Sequence, residues 1–90
     1  MELKDTVEKM TSADYRERFV AEYQQLKIRY EKLKTYCNKI EAAERTNAPE
    51  KEPPHDCPLS LLKKQQRAMG TYLHVLEVRA EIENISLGST

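Results

Sequence analysis

A chain of 90 residues with a formal net charge of zero, 33% charged and 7% aromatic residues, and only two glycines has room for one small domain. Sparse glycine and aromatic content argues against a strand-rich fold with many tight turns and suits long, solvated helices. Zero net charge leaves no global field to hold a long nucleic acid, so an anionic partner would be small and met by a local cluster.

Cys37 and Cys57 make a poor disulfide framework. No charged, then apolar, leader opens the chain, and no run approaches the roughly 20 apolar residues of a membrane span. The expected compartment is a cytoplasm with both thiols reduced. A domain this small buries a modest fraction of its surface alone, which makes self-association a natural remedy.

In chain order, residues 1–11 carry Leu3, Val7 and Met10 at helical spacing and predict one short helix. Thr11 or Ser12 is the expected cap of a long helix over residues 13–45, about 50 Å long at ~1.5 Å per residue. Phe19, Tyr23, Leu26, Tyr30, Leu33, Cys37 and Ile40 alternate steps of four and three, an unbroken heptad seam that needs another helix to cover it.

Residues 46–57 hold Asn47, Pro49, Pro53 and Pro54 and predict a stiff linker. Pro58 suits the first turn of a second helix over 58–84, with Asp56 or Cys57 as its cap. Its seam, Leu62, Gln66, Met69, Leu73, Leu76 and Ala80, repeats the same steps and mates with the first in an antiparallel hairpin. Gly70 on this helix costs about 1 kcal/mol against Ala and marks a kink or a close helix approach. Residues 85–90 read as a fraying tail, with Leu87 able to fold back over the hairpin tip.

The second helix carries an additional stripe, Leu61, Ala68, Tyr72, Val75 and Ile82, with Arg79 set inside it. The first carries Tyr15, Val20, Ile28 and Tyr36 off its seam. Two helices facing each other bury one stripe each, so the remainder predicts a homo-oligomer. The fold class is therefore all-α: an antiparallel two-helix hairpin with a short N-terminal helix, assembling into a helical oligomer.

Few groups suggest chemistry. His55-Asp56-Cys57, even with Cys37, lacks the paired spacing of a zinc site and reads as a solvated loop. Cys37 on the seam acts as a small hydrophobe, and Cys57 at a helix start has no oxyanion donor or orienting partner beside it. His74 reads as an exposed or interface side chain. Two glycines exclude the usual phosphate loops. No enzyme, no metal and no cofactor is expected.

The basic residues are more informative. Between positions 27 and 39, Lys27, Arg29, Lys32, Lys34 and Lys39 face a single acid, Glu31, and Lys63, Lys64 and Arg67 form a second cluster. With Tyr23, Tyr30 and Tyr36 interleaved, such a pattern can stack bases and pair phosphates; a solvated cationic face over core tyrosines is the plainer alternative. Tyr15, off the seam beside Arg16 and Arg18, either stacks on a base or packs on the N-terminal segment.

The run Tyr15-Arg16-Glu17-Arg18-Phe19-Val20-Ala21-Glu22-Tyr23-Gln24-Gln25-Leu26 resembles the opening of a family of small phage proteins, the anti-CBASS cyclic-nucleotide sponges. A second block, Gln66-Arg67-Ala68-Met69-Gly70-Thr71-Tyr72-Leu73-His74-Val75-Leu76-Glu77-Val78-Arg79, resembles the same family and related small phage proteins. The resemblance implies helical homo-hexamers that bind cyclic dinucleotides, and in some members cyclic trinucleotides, in pockets between protomers. They sequester the messenger a bacterium makes on infection, without chemistry on it, in the cytoplasm of the infected host. Carried over by motif, the base-stacking tyrosine falls on Tyr15, the mid-helix cation on Arg29 or its neighbour Lys32, and the late arginine on Arg79. Tyr72 is a further candidate on the Arg79 stripe. The residue 46–57 linker and the N-terminal extension depart from the family pattern. A helical module binding an unknown protein partner is the alternative, and a weak, salt-sensitive nucleic-acid binder ranks third.

Overall fold

The computed structural model describes residues 1–88; the last two positions of the predicted tail lie outside the described residues. The architecture is all-helical, with no strand among the described residues. A 3-10 turn, Leu3–Thr6, runs into the short helix α1, Val7–Met10; α2 spans Tyr15–Arg45, and α3 spans Leu59–Glu83. The molecule measures 49 × 25 × 22 Å, its long dimension that of α2.

The start of α2 differs from expectation. Asp14, not Thr11 or Ser12, is the cap: its carboxylate accepts the Arg16 N–H at 2.9 Å, from extended backbone. Ser12 closes the turn before it, its hydroxyl accepting the Asp14 N–H at 3.0 Å. Pro58, rather than Asp56 or Cys57, caps α3; it needs no hydrogen bond for its own nitrogen, and its carbonyl accepts from Leu61 and Leu62.

Both long helices end the same way. Asn47 and Asn84 take left-handed backbone, φ 51° and 55°. Beyond them, the N–H groups of Ala48 and Ile85 return to the carbonyls of Ala43 and Ala80, each at 2.9 Å. This is the Schellman closure, with asparagine replacing the more usual glycine. At the end of α3 it aims the chain back at the hairpin. Ile85 is consequently buried and Leu87 packs against the same cluster, folding back as expected, while Ser86 and Gly88 stay exposed.

The seams of α2 and α3 face each other. Phe19, Tyr23, Leu73, Leu76, Ala80 and Ile85 form the central cluster, with Leu26 and Tyr30 packed against it; Cys37 and Ile40 are fully buried further along. Each large side chain so covered contributes about 1.5–3 kcal/mol of apolar transfer. Gly70 marks a close approach: a Cβ there would stand 3.3 Å from the Tyr30 ring.

The N-terminal segment packs on α2. Thr6 is completely buried there, its hydroxyl satisfied by the Leu3 carbonyl at 2.7 Å. Ile28 shares a cleft with Met1, and Val20, Ile28 and Tyr36 are all half-buried. Three of the four off-seam residues of α2, Val20, Ile28 and Tyr36, thus find partial cover within the chain, while Tyr15 stays exposed. On α3, Leu61, Tyr72, Val75, Val78 and Ile82 remain exposed, Ile82 at 74%.

Candidate functional site

The open end of the hairpin brings the first residue of α2 against the last turn of α3. Tyr15, 46% exposed, donates its hydroxyl to Glu83 Oε1 at 2.9 Å. Arg79 closes the arrangement from one turn earlier on α3. Its Nε donates to Glu83 Oε2 at 3.0 Å and its Nη2 donates to the Tyr15 hydroxyl oxygen. The guanidinium carbon lies 4.9 Å from the centre of the Phe19 ring, a cation–π contact. That ring in turn meets Tyr15 at 6.2 Å and 58°.

The charges in this triad support one another. The Tyr15 hydrogen bond, and then Arg79, hold the Glu83 carboxyl below its ordinary value. The same bond to Glu83 raises the Tyr15 phenol, and Glu83 raises Arg79. Arg16 donates to the Asn84 carbonyl at 3.1 Å and Arg18 to the Ser12 carbonyl at 2.7 Å, so both neighbouring guanidiniums tie down chain ends.

Tyr15 therefore has intramolecular partners, as the packing alternative expected, but different ones. They are α3 side chains, not the N-terminal segment. Arg79, too, has partners within the chain. Tyr15 and Arg79 meet within one chain.

The remaining candidates follow the same edge. Tyr15, Glu22, Arg29 and Tyr36 recur every seven residues on α2. Tyr72 on α3 donates its hydroxyl to Glu22. Arg29 and Lys32 border an open cavity of about 420 Å³ with Leu3, Tyr36, Gln65 and Met69, where α2, α3 and the N-terminal turn converge. Lys32 also reaches the adjoining cleft at Met1 and Ile28. Fourteen residues of helix put Arg29 roughly 21 Å from Tyr15. The candidates thus string along one edge: Tyr15 with Arg79 at a first station, the open end, Arg29 with Lys32 at a second near the middle, and Tyr72 between them, its partner Glu22 seven residues from both Tyr15 and Arg29.

Glu83, Glu22 and the aromatic backing from Phe19 were not anticipated as site residues. The spacing of Arg79 and Glu83, one helical turn, carried a local signal for the ion pair. The tyrosine completing it is 68 positions away and depends on the hairpin register.

The other basic residues divide. Lys63 is engaged by Glu41 across the hairpin, and Lys27 stands 6.0 Å over the Tyr23 ring, whose hydroxyl donates to Glu77 at 3.0 Å. In the linker, His55 directs Nδ1 at the Cys57 carbonyl, 2.6 Å, and Nε2 at the Glu52 carboxylate, 2.9 Å. Cys37 is buried and Cys57 exposed. Among the described residues no group of three His, Cys, Asp or Glu side chains is placed to hold a metal ion, and no helix is long and apolar enough to cross a membrane.

Fold and edge together define an all-helical hairpin with an aromatic–guanidinium cluster at its open end. The sequence profile of the Sequestin family matches residues 13–82, from just before Tyr15 to just before Glu83. The chain belongs to the Sequestin family, the anti-CBASS sponges its two sequence blocks resemble. No curated protein and no solved structure matches it.

Proposed function

We propose that this is a phage-encoded, non-catalytic sponge that binds cyclic oligonucleotide messengers in the cytoplasm of an infected bacterium and so blocks CBASS immunity. Family membership supports a sequestering role. The observation that carries the ligand class is the Tyr15–Arg79 pair: an exposed aromatic ring held next to a guanidinium on a rigid helix end. An aromatic face stacks a base and a guanidinium pairs a phosphate, and the two alternate around a cyclic dinucleotide. Tyr72 extends the same edge, and Arg29 and Lys32 supply cations at the second station.

A ligand about 10 Å across cannot span two stations separated by roughly 21 Å of helix. A second copy docked on the exposed α3 face could bring one chain's Arg29 and Lys32 to another's Tyr15, and the expected assembly is a homo-hexamer. The same face supports a second reading, a helical module that docks on a foreign protein. Light scattering separates them: a defined hexamer favours the sponge, a stable monomer the module.

Sequestration leaves the ligand unchanged. Incubating the purified protein with a mixture of cyclic di- and trinucleotides, separating it from unbound ligand and then heating it should release one or more of them intact by mass spectrometry. Recovery of none, or of linear products only, contradicts the proposal.

A further inference from the structure

The cavity beside Arg29 and Lys32 holds more than cations. Leu33 of α2, Met69 of α3 and Leu3 of the N-terminal turn, all half-buried, give it an apolar lining. Tyr36 is half-buried there too and donates its hydroxyl to the Pro54 carbonyl, so the linker helps hold its ring. Gln65 brings an exposed amide from α3. At about 420 Å³ the space falls within the ~300–1,000 Å³ usual for small-molecule sites. Leu3 lies outside the residues matched by the family profile, so this wall belongs to the N-terminal extension.

Charge at this cavity is one-sided. Arg29 and Lys32 line it and no acid does, and neither cation has a hydrogen bond or ion pair among the described residues. Glu31 borders the neighbouring clefts instead. On the N-terminal turn, Glu2 lies 3.5 Å from Lys4, and the Asp5 carboxylate accepts the Glu2 N–H at 2.8 Å. The cleft around Tyr23, Lys27 and Tyr30 differs, because Glu31 and Glu77 line it as well.

A nucleobase is apolar on its faces and polar along its edge. Its faces suit the Leu33 and Met69 lining, where methionine adapts to shape, and the Tyr36 ring, by stacking. Its edge suits the Gln65 amide, which offers both donors and an acceptor. A phosphate on the same nucleotide suits Arg29 and Lys32. We propose that this cavity is a nucleotide subsite, seating a base against Tyr36, Leu33 and Met69 with its edge at Gln65 and its phosphate at Arg29 and Lys32. On the sponge reading, on which the natural ligand here rests, the cavity takes one base of a cyclic dinucleotide and the Tyr15 of a second copy takes the other. Joining two such units in one ligand gains affinity over either alone, so a lone mononucleotide binds weakly.

Methyl NMR of the full chain reads the cavity through Leu3, Leu33 and Met69. The probes are the four common nucleoside 5′-monophosphates, with ribose 5-phosphate as the base-free control. At least one monophosphate should shift these methyls and bind about fivefold or more tighter than ribose 5-phosphate, as one stacked base provides. Arg29→Ala should weaken every probe about tenfold, and Gln65→Ala should at least halve the spread of affinities among the four bases. Both substitutions fall at exposed positions, outside the core. Methyls unmoved by all four, monophosphates no tighter than ribose 5-phosphate, or a spread unchanged in Gln65→Ala would overturn the assignment. Monophosphate binding here without binding of any cyclic ligand would sink the sponge reading and keep the cavity; a bound cyclic ligand that leaves these methyls unmoved would sink the cavity alone.

Discussion

Tyr15, Arg79 and Glu83 form a closed ring of hydrogen bonds, and their ionisation is therefore coupled to folding. The Glu83 carboxyl is depressed in the folded chain, chiefly by the Tyr15 hydroxyl. A depressed acid contributes stability above its unfolded value, and that contribution is lost as pH falls through the folded one. Glu83→Gln should accordingly flatten the acid side of a melting-temperature profile below about pH 4.5, and an unchanged profile would contradict the pairing. His55 works with the opposite sign. Both ring nitrogens face acceptors, so only the imidazolium donates to both, and the Cys57 carbonyl and then Glu52 raise its pKa. Glu44 adds to that field from the end of α2. The linker contact is thus fully present below about pH 6.5 and lost as pH rises through the raised value. In His55→Ala this loss of stability with rising pH should disappear from thermal melts; its persistence would place the titrating group elsewhere.

At the scale of elements, the two seams were legible because heptad spacing depends only on the helix period and on which side chains avoid water. Facing seams also fix the antiparallel register that sets Tyr15 against Arg79. What stayed hidden was set by contacts distant in sequence or by local competition: Asp14 displacing Ser12 as cap, the N-terminal turn burying Thr6, and the Asn84 closure that folds Ile85 inward. The candidate site was legible as residues, through motif resemblance, and not as geometry. The Arg79–Glu83 pair had a local signal in its one-turn spacing, but its closure by Tyr15 emerged only with the fold. Leu76, 1% exposed between the helices, should cost about 2–5 kcal/mol on truncation to Ala, read by urea denaturation. Gly70→Leu drives a branched side chain at the Tyr30 ring and should cost about 1–3 kcal/mol; a stability equal to the parent would mean the helices can part there freely.

For the whole molecule, the asymmetry of cover is the main fact. The N-terminal segment and the returning tail shelter α2, whereas α3 presents Leu61, Tyr72, Val75, Val78 and Ile82 to solvent. Exposed apolar side chains along one helix of a small chain are the surface that the proposed assembly would bury. Val75→Glu, outside the core, should leave the helical circular dichroism intact and reduce the assembly to smaller species by light scattering; an unaltered mass would move the interface off α3. In the proposed function, the edge of Tyr15 and Arg79 captures a cyclic oligonucleotide. The most direct test is calorimetric titration of the purified protein with a panel of cyclic di- and trinucleotides, alongside Tyr15→Ala and Arg79→Ala. The predicted result is binding of at least one ligand at micromolar protein, weakened about 10- to 100-fold by either substitution, as lost stacking or charge-assisted contacts require. Absence of binding to every ligand, or binding indifferent to both substitutions, would contradict it.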